Sequence, residues 1–366
     1  MRIFLLIFSF FLTPIIYCQY YFFGDIQSRY LIEKKQYLTE NKHSFSKPYL
    51  VDKSDYQVRQ NGVWEYASSL DSSNFKIFPL LGANLKYDIE SDYISTNSHF
   101  GFQLNSGSNK HFYTQFRVGF QSGNLADYES LATSKRPFAP GIGYLNDSLK
   151  EAYSNLLIEG LISYKLGDYF VLSSGVGKNI FGDGYRSLFL SDYAPSYPFL
   201  KLESTFWKIK YVNLWSLHDD LHTNLFAGNK WASSHMLSFN ALKWLNLSVF
   251  ESIVWQGKDT LINRQFDINY INPFVFYRPI EYGIGSADNS FLGGGIKIKF
   301  LKNHVFYSNF ILDEFLLSQI KAKNGWWGNK YGYQFGLKVF DMLKIKSLYA
   351  ILEWNSVRPY TYSHMT

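Results

Sequence analysis

The sequence is poor in cysteine, in charge and in long apolar runs. Its one cysteine is Cys18, at the end of an N-terminal apolar stretch. If that stretch is removed, disulfides, thiolate zinc sites and cysteine nucleophiles are excluded together. Charged residues make up 18% of the chain, against roughly 25% in ordinary soluble domains. After residue 18 no stretch approaches the roughly 18–20 uninterrupted apolar residues that a membrane-spanning helix requires. The formal net charge of +6 falls to +5 without Arg2. It comes with no clustered basic face, so nucleic acid is excluded as a partner.

What the chain has in excess is aromatic rings. Phe (33), Tyr (29) and Trp (9) together reach 19% of 366 residues. A disordered chain carries few rings and much charge, so that class is excluded too. An all-β protein rich in amphipathic rings remains. Arg2, the apolar run 3–16 and the Tyr17-Cys18-Gln19 junction read as a secretory signal over 1–18. Bulky Tyr17 disfavours the alternative in which Cys18 becomes a lipidated first residue. Residues 19–75 differ from the rest: 28–41 is charged with helical spacing, and Pro48 breaks the chain. A polar, partly helical periplasmic segment is expected there, followed by a barrel over 76–366.

From residue 80 the pattern changes to period two. Phe112, Thr114, Phe116, Val118 and Phe120 oppose Tyr113, Gln115, Arg117, Gly119 and Gln121. Tyr333, Phe335, Leu337 and Val339 oppose Gln334, Gly336 and Lys338 in the same way. Strict alternation fits a half-buried strand. It also fits a barrel strand with lipid on one side and a polar lumen on the other. Thirteen strands are expected: 80–89, 98–106, 111–121, 155–166, 169–179, 199–206, 209–217, 231–240, 245–255, 291–301, 303–312, 331–340 and 345–355. Most have the 9 to 12 residues needed by a tilted strand to cross a bilayer.

The links then separate the two fits. Short turns at 107–110, 167–168, 207–208, 241–244, 302 and 341–344 alternate with longer connections at 90–97, 122–154, 180–198, 218–230, 256–290 and 313–330. Outer-membrane barrels show this asymmetry, with tight periplasmic turns and long external loops. The fold class is therefore all-β, a transmembrane antiparallel β-barrel of outer-membrane type. Phe170, Trp207, Trp215, Trp244, Trp255 and Trp354 are expected at its interfacial girdles. Thirteen is odd where bacterial barrels are even, and an unpaired edge in lipid is costly. A C-terminally truncated barrel is the expectation, with a miscounted register as the alternative.

The loops hold few catalytic signatures. No G-x-S-x-G occurs. His218 and His222 lie four apart without the glutamate of H-E-x-x-H, in an expected loop. Glu159 and Glu203 fall within strands, Asp313 and Glu314 open a loop, and no spacing selects a catalytic pair. No enzyme, metal or cofactor is expected. The loops do combine rings with hydrogen-bonding groups, as sugar recognition requires. Asp183, Tyr185, Arg186, Asp192 and Tyr193 fall in one such stretch, Arg278, Glu281, Asp288 and Asn289 in a second, and Trp326 and Trp327 in a third. Packing of these residues into a lid over the lumen is the competing explanation.

The stretch GKNIFGDGYRSLFLSDYAPSYPFLKLESTFWKIKYVNLWS, with NPFVFYRPIEYGIGSADNSFLGG and NGWWGNKYGYQFGLK, resembles the Wzi-like capsule assembly family. HSFSKPYL at 43–50 and SVRPYTYSH at 356–364 match the same pattern. Within the family the chain is most similar to the Bacteroidota branch of RemB-type gliding-motility proteins. The resemblance covers nearly the whole mature chain. It implies an outer-membrane barrel with a periplasmic helical N-terminal part, and a lectin-like role that holds capsular polysaccharide or serves surface motility. It also implies family members that extend beyond the last residue here. It carries no sugar ligand over residue by residue.

The expected function is thus a non-enzymatic, monomeric barrel in the outer membrane that binds surface polysaccharide, with lipid and glycan as its partners. The alternatives are a channel or porin with a polar lumen, and a surface glycan hydrolase relying on Glu281 or Asp313.

Overall fold

The structure is a computed structural model. It describes residues 30, 32–40, 42–48, 64–67, 74–89, 91–108, 111–126, 129–130, 133, 138–139, 142–145, 152–219, 228–257, 264–272, 288–313, 317–322, 326 and 328–363. The expected signal at 1–18 and the site residues Arg278, Glu281 and Trp327 lie outside the described residues.

Among the described residues one antiparallel sheet holds fourteen strands in strict sequence order. They are β1 (Trp64–Ala67), β2 (Asn74–Asp88), β3 (Tyr93–Ser108), β4 (Phe112–Gly123), β5 (Tyr153–Leu166), β6 (Phe170–Gly177), β7 (Tyr197–Phe206), β8 (Ile209–Asp219), β9 (Asn229–Leu242), β10 (Leu245–Gln256), β11 (Asn289–Phe300), β12 (His304–Leu312), β13 (Tyr331–Val339) and β14 (Ala350–Val357). Each strand pairs with its sequence neighbours, and no pairing joins β1 to β14 among the described residues.

The period-two pattern places apolar residues outward and polar ones inward, the reverse of a soluble protein. Phe100, Phe102, Leu156, Ile158, Ile162, Leu247, Val249, Phe310, Phe335 and Leu352 are exposed. On the other face Gln103, Asn105, Gln115, Glu159, Lys201, Glu203, Lys297, Asn309, Gln334 and Lys338 are buried. Only a wall with hydrocarbon outside makes that arrangement favourable. The fold is a transmembrane antiparallel β-barrel of outer-membrane type.

The sequence pattern needs three corrections. Among the described residues the main sheet has fourteen strands, not thirteen, because β1 pairs Trp64 with Ile77 and Ala67 with Asn74, inside the segment assigned to 19–75. The connection expected at 90–97 is shorter, since β2 runs to Asp88, β3 starts at Tyr93, and the Ser91 amide donates to Asp88 at 3.4 Å. Thr96 and Ser98 disguised that start: they are polar yet lie on the exposed outward face with Ile94 and Phe100. Finally, the last strand begins at Ala350 rather than 345, because residues 342–344 form a 3-10 turn.

The first chain segment fills part of the lumen. Its helical stretch includes six residues of π-helix, Lys35–Glu40, and Ser46–Lys47 pairs with Ile180–Phe181. Tyr30 and Tyr37 pack with Val305 and Phe340 near the short-turn end of β12 and β13. Phe45 joins Phe181, Phe199, Val212, Leu214, Met236 and Phe250 in the largest apolar cluster among the described residues. Side chains of β7, β8, β9, β10 and β12 thus meet the same cluster from one side, so the sheet curves around it.

Candidate functional site

The connection between β6 and β7, residues 178–196, folds across the lumen instead of staying at the rim. Gly182 starts the inward turn with φ +116°, a conformation that glycine adopts without penalty. Two residues on, a Cβ on Gly184 would sit 2.3 Å from the Arg186 carbonyl and 2.7 Å from both Gln334 and Glu353. Only glycine fits there.

Asp183 lies between these glycines and points into the barrel. Its Oδ1 accepts from Tyr37 Oη at 2.8 Å and Ser44 Oγ at 2.6 Å, and Lys297 Nζ stands 3.4 Å away. Lys47 Nζ donates to the Gly182 carbonyl at 2.7 Å. Burial alone would raise the Asp183 pKa; Lys297, Lys47 and Lys338, with the Ser44 hydroxyl, outweigh it and hold the group far below the usual carboxylate range. A deeper pair joins Lys338 Nζ to Glu33 Oε2 at 2.7 Å, with neither side chain reached by solvent. Asp183, one of the sugar-ligand candidates, is buried and acts as a lock between the inward connection and the first segment.

The rest of the connection crosses to the last strands. The amides of Tyr185 and Arg186 donate to Glu353 at 2.7 and 3.1 Å. Gln334 Nε2 donates to the Arg186 carbonyl at 3.0 Å, and Tyr362 Oη to the Leu188 carbonyl at 2.6 Å. With its backbone held in this way, the segment presents three side chains outward. The Arg186 guanidinium lies over the Tyr185 ring at 5.1 Å and the Tyr193 ring at 5.4 Å. Both tyrosines are exposed. Two ring faces flanking a planar array of N–H donors suit a hydroxylated ring with apolar C–H faces. Asp192 is next to this group, and its carbonyl accepts from Lys178 Nζ at 3.1 Å.

Above the segment is a cavity of about 240 Å³ with Phe189, Phe250 and Phe291 among its lining and Ser216, His218, Ser252 and Tyr362 around them. Phe189 and Phe250 stack with ring centroids 4.8 Å apart. His218 belongs to β8 rather than to a loop, and its Nε2 is 2.9 Å from Ser216 Oγ. Its packing against Tyr197, with centroids 4.2 Å apart, is that of a wall residue.

The remaining expected site residues are dispersed. Asp288 takes Arg264 Nη2 at 2.5 Å and Tyr270 Oη at 2.7 Å, outside the barrel wall. Asn289 is buried at the start of β11 opposite Val254. Trp326 is half-buried, and its carbonyl accepts from the Asn329 amide at 3.3 Å. Asp313 is occupied by the Tyr362 amide at 2.9 Å. Glu159 holds Arg117 of the wall at 3.5 Å and Ser196 of the inward connection at 2.5 Å, and Glu203 holds Lys210 of the wall at 2.8 Å, so both carboxylates are engaged in structural contacts. Sequence spacing missed the partners Tyr37, Ser44, Lys297 and Glu353. Only the charges at regular inward positions of β11, β13 and β14 (Lys297, Lys338 and Glu353) hinted at a binding counterpart within the lumen.

No family model matches the chain, and no curated protein matches it. Among solved structures the chain is similar to Pseudomonas aeruginosa OccK9 (OpdG), at 12% identity and a TM-score of 0.39, over 78% of this chain and 82% of that one. It is also similar to Pseudomonas aeruginosa OccK11 (OpdR), at 9% identity and a TM-score of 0.39, over 77% and 79%. A third is the anion-selective porin from Comamonas acidovorans, at 11% identity and a TM-score of 0.37, over 78% and 90%.

Proposed function

We propose that this chain is an outer-membrane barrel that holds surface polysaccharide, anchoring capsule or serving gliding, and does not act as an open pore or an enzyme. The long connections are on the outer side and the first segment enters from the periplasmic side. One observation carries the proposal. The lumen is occupied by two segments cross-linked through Asp183, while Tyr185, Arg186 and Tyr193 are displayed on the outward part of one of them. A blocked lumen with an exposed ring-and-guanidinium surface suits capture of a chain of sugars better than passage of solutes. The resemblance to the Wzi-like family supports the same proposal.

The test is binding of purified capsular polysaccharide to the detergent-solubilised protein, with wild type compared to Tyr185→Ala and Arg186→Ala. Saturable binding that weakens at least tenfold in both variants supports the proposal; equal binding by all three, or none by wild type, refutes it. A channel is the second reading. It is favoured by the inner wall of Gln103, Asn105, Gln115 and Arg117, which is polar along β3 and β4.

A further inference from the structure

One patch of the outward wall breaks the apolar rule. Strands β8, β9 and β10 align Asn213 with His235 and His235 with Glu251, and Trp215 with Ser233 and Ser233 with Ile253. These positions share the outward face with Leu237, Val249 and Leu247, which are exposed. Yet Asn213, Ser233, His235, Glu251, Ile253 and Trp255 are all buried. His235 Nδ1 is 3.8 Å from Glu251 Oε2. The Glu251 position is paired with Leu292, which is 48% exposed, and the Trp215 position with Leu200, which is 40% exposed. The polar strip therefore lies within the apolar belt, with greasy neighbours at its own height on both flanks. Polar and charged groups facing hydrocarbon are destabilising, and here several coincide.

The β10–β11 connection covers part of this patch. Within residues 264–272 the Tyr270 carbonyl accepts from Trp215 Nε1 and from Ser233 Oγ, each at 3.0 Å. Gln265 offers its carbonyl to Trp255 Nε1 at 2.9 Å, and the Tyr270 ring packs on Trp255 with centroids 4.8 Å apart. Arg264 pairs with Asp267 and Asp288, which also holds the Tyr270 hydroxyl, so the charges are gathered on the wall side. The 3-10 turn Ile268–Ile271 then directs apolar side chains away from the wall. Phe266 is 36% exposed, Ile268 73% and Ile271 46%.

We infer that residues 264–272 are a lipid-facing cover: they lie against the outside of the wall, accept the hydrogen bonds of Trp215, Ser233 and Trp255, and present Phe266, Ile268 and Ile271 to the membrane. Gln265, Asn269 and Asn272 are exposed between those side chains. The mixture suits the boundary between acyl chains and headgroups, where short amphipathic segments settle. The partner is thus the lipid surface, and it is continuous with the belt formed by Leu200, Leu237, Val249 and Leu292.

Fluorescence quenching tests this directly. In a Cys18→Ser background, single cysteines replace Ile268, Ile271, the belt residue Leu247 and the turn residue Ser347, each labelled with an environment-sensitive dye. The full chain is reconstituted into phosphatidylcholine vesicles whose acyl chains carry bromine. Quenching at 268 and 271 that reaches at least half of that at 247, with none at 347, supports the inference. Should Ile268→Cys fail to fold, Ile271→Cys decides alone. Quenching at the level of 347 overturns it and places the connection in water.

Discussion

Glu33 and Lys338 are 305 residues apart in sequence, yet their side chains meet at 2.7 Å inside the barrel, where solvent reaches neither. The Tyr349 hydroxyl donates to the same Glu33 oxygen at 2.8 Å, and Lys338 also reaches Tyr37 Oη at 3.2 Å. The pair ties the first segment to the wall. Removing one partner of such a buried pair leaves an uncompensated charge and costs about 3–5 kcal/mol. Lys338→Met should therefore lower stability strongly in denaturant unfolding of the detergent-solubilised protein. Glu33→Gln combined with Lys338→Met should recover much of the loss, because no buried charge remains. Equal damage from the double variant would show that the pair does not act as a unit.

Asp183 is the second tie, and its removal takes the paired carboxylate from Lys297. Asp183→Asn keeps the shape and loses the charge, so the first segment should leave the lumen more often. Limited proteolysis between residues 30 and 47 is the readout, with cleavage expected to be several-fold faster than in wild type. Unchanged cleavage would mean that the segment is held without this contact.

Acidification should loosen the same segment in two steps. His43 has its pKa pushed down to about 3, first by burial and then by Lys210 and Lys297, so it is neutral in the fold. The unfolded chain binds a proton near 6.5 that the folded chain does not, so stability falls as pH drops from about 6.5 towards 3. Asp341 is held at about 2, mainly by its hydrogen bond from Lys34 and next by that from Tyr30. Its contribution is present above about pH 4 and is lost as pH falls towards 2. Unfolding midpoints measured against pH should show both losses, and His43→Asn should remove the upper one. A profile that is flat between 6.5 and 4 in wild type would contradict this account.

Gly184 makes a sharper prediction for the displayed side chains. Gly184→Val cannot be accommodated beside Arg186, Gln334 and Glu353, so Tyr185 and Arg186 should lose their support from Glu353. Polysaccharide binding should fall as far as in Arg186→Ala while the sheet keeps its circular dichroism. Retained binding would separate the Tyr185–Arg186 surface from recognition.

Much of the wall was legible in the sequence because alternation is a local signal: Phe116 and Arg117 need only their neighbours to declare which face is which. The interior was not, since nothing near Asp183 in sequence points to Tyr37, Ser44 or Lys297. The girdle expectation failed in part for the same reason. Trp207 and Trp244 are exposed at short turns as expected, but Trp215 and Trp255 are buried under the β10–β11 connection, a contact set by residues 264–272 rather than by strand pattern. Among the sugar-binding candidates, Tyr185, Arg186 and Tyr193 came together because they share one connection held by Glu353. Asp288 and Trp326 are held elsewhere.

Conductance of the full chain in a planar bilayer is the most direct check on the claim that two segments block this lumen. A blocked lumen predicts a quiet baseline for wild type and discrete steps once Asp183→Asn and Lys338→Met are combined. Steady, long-lived open steps from the unaltered protein would contradict it.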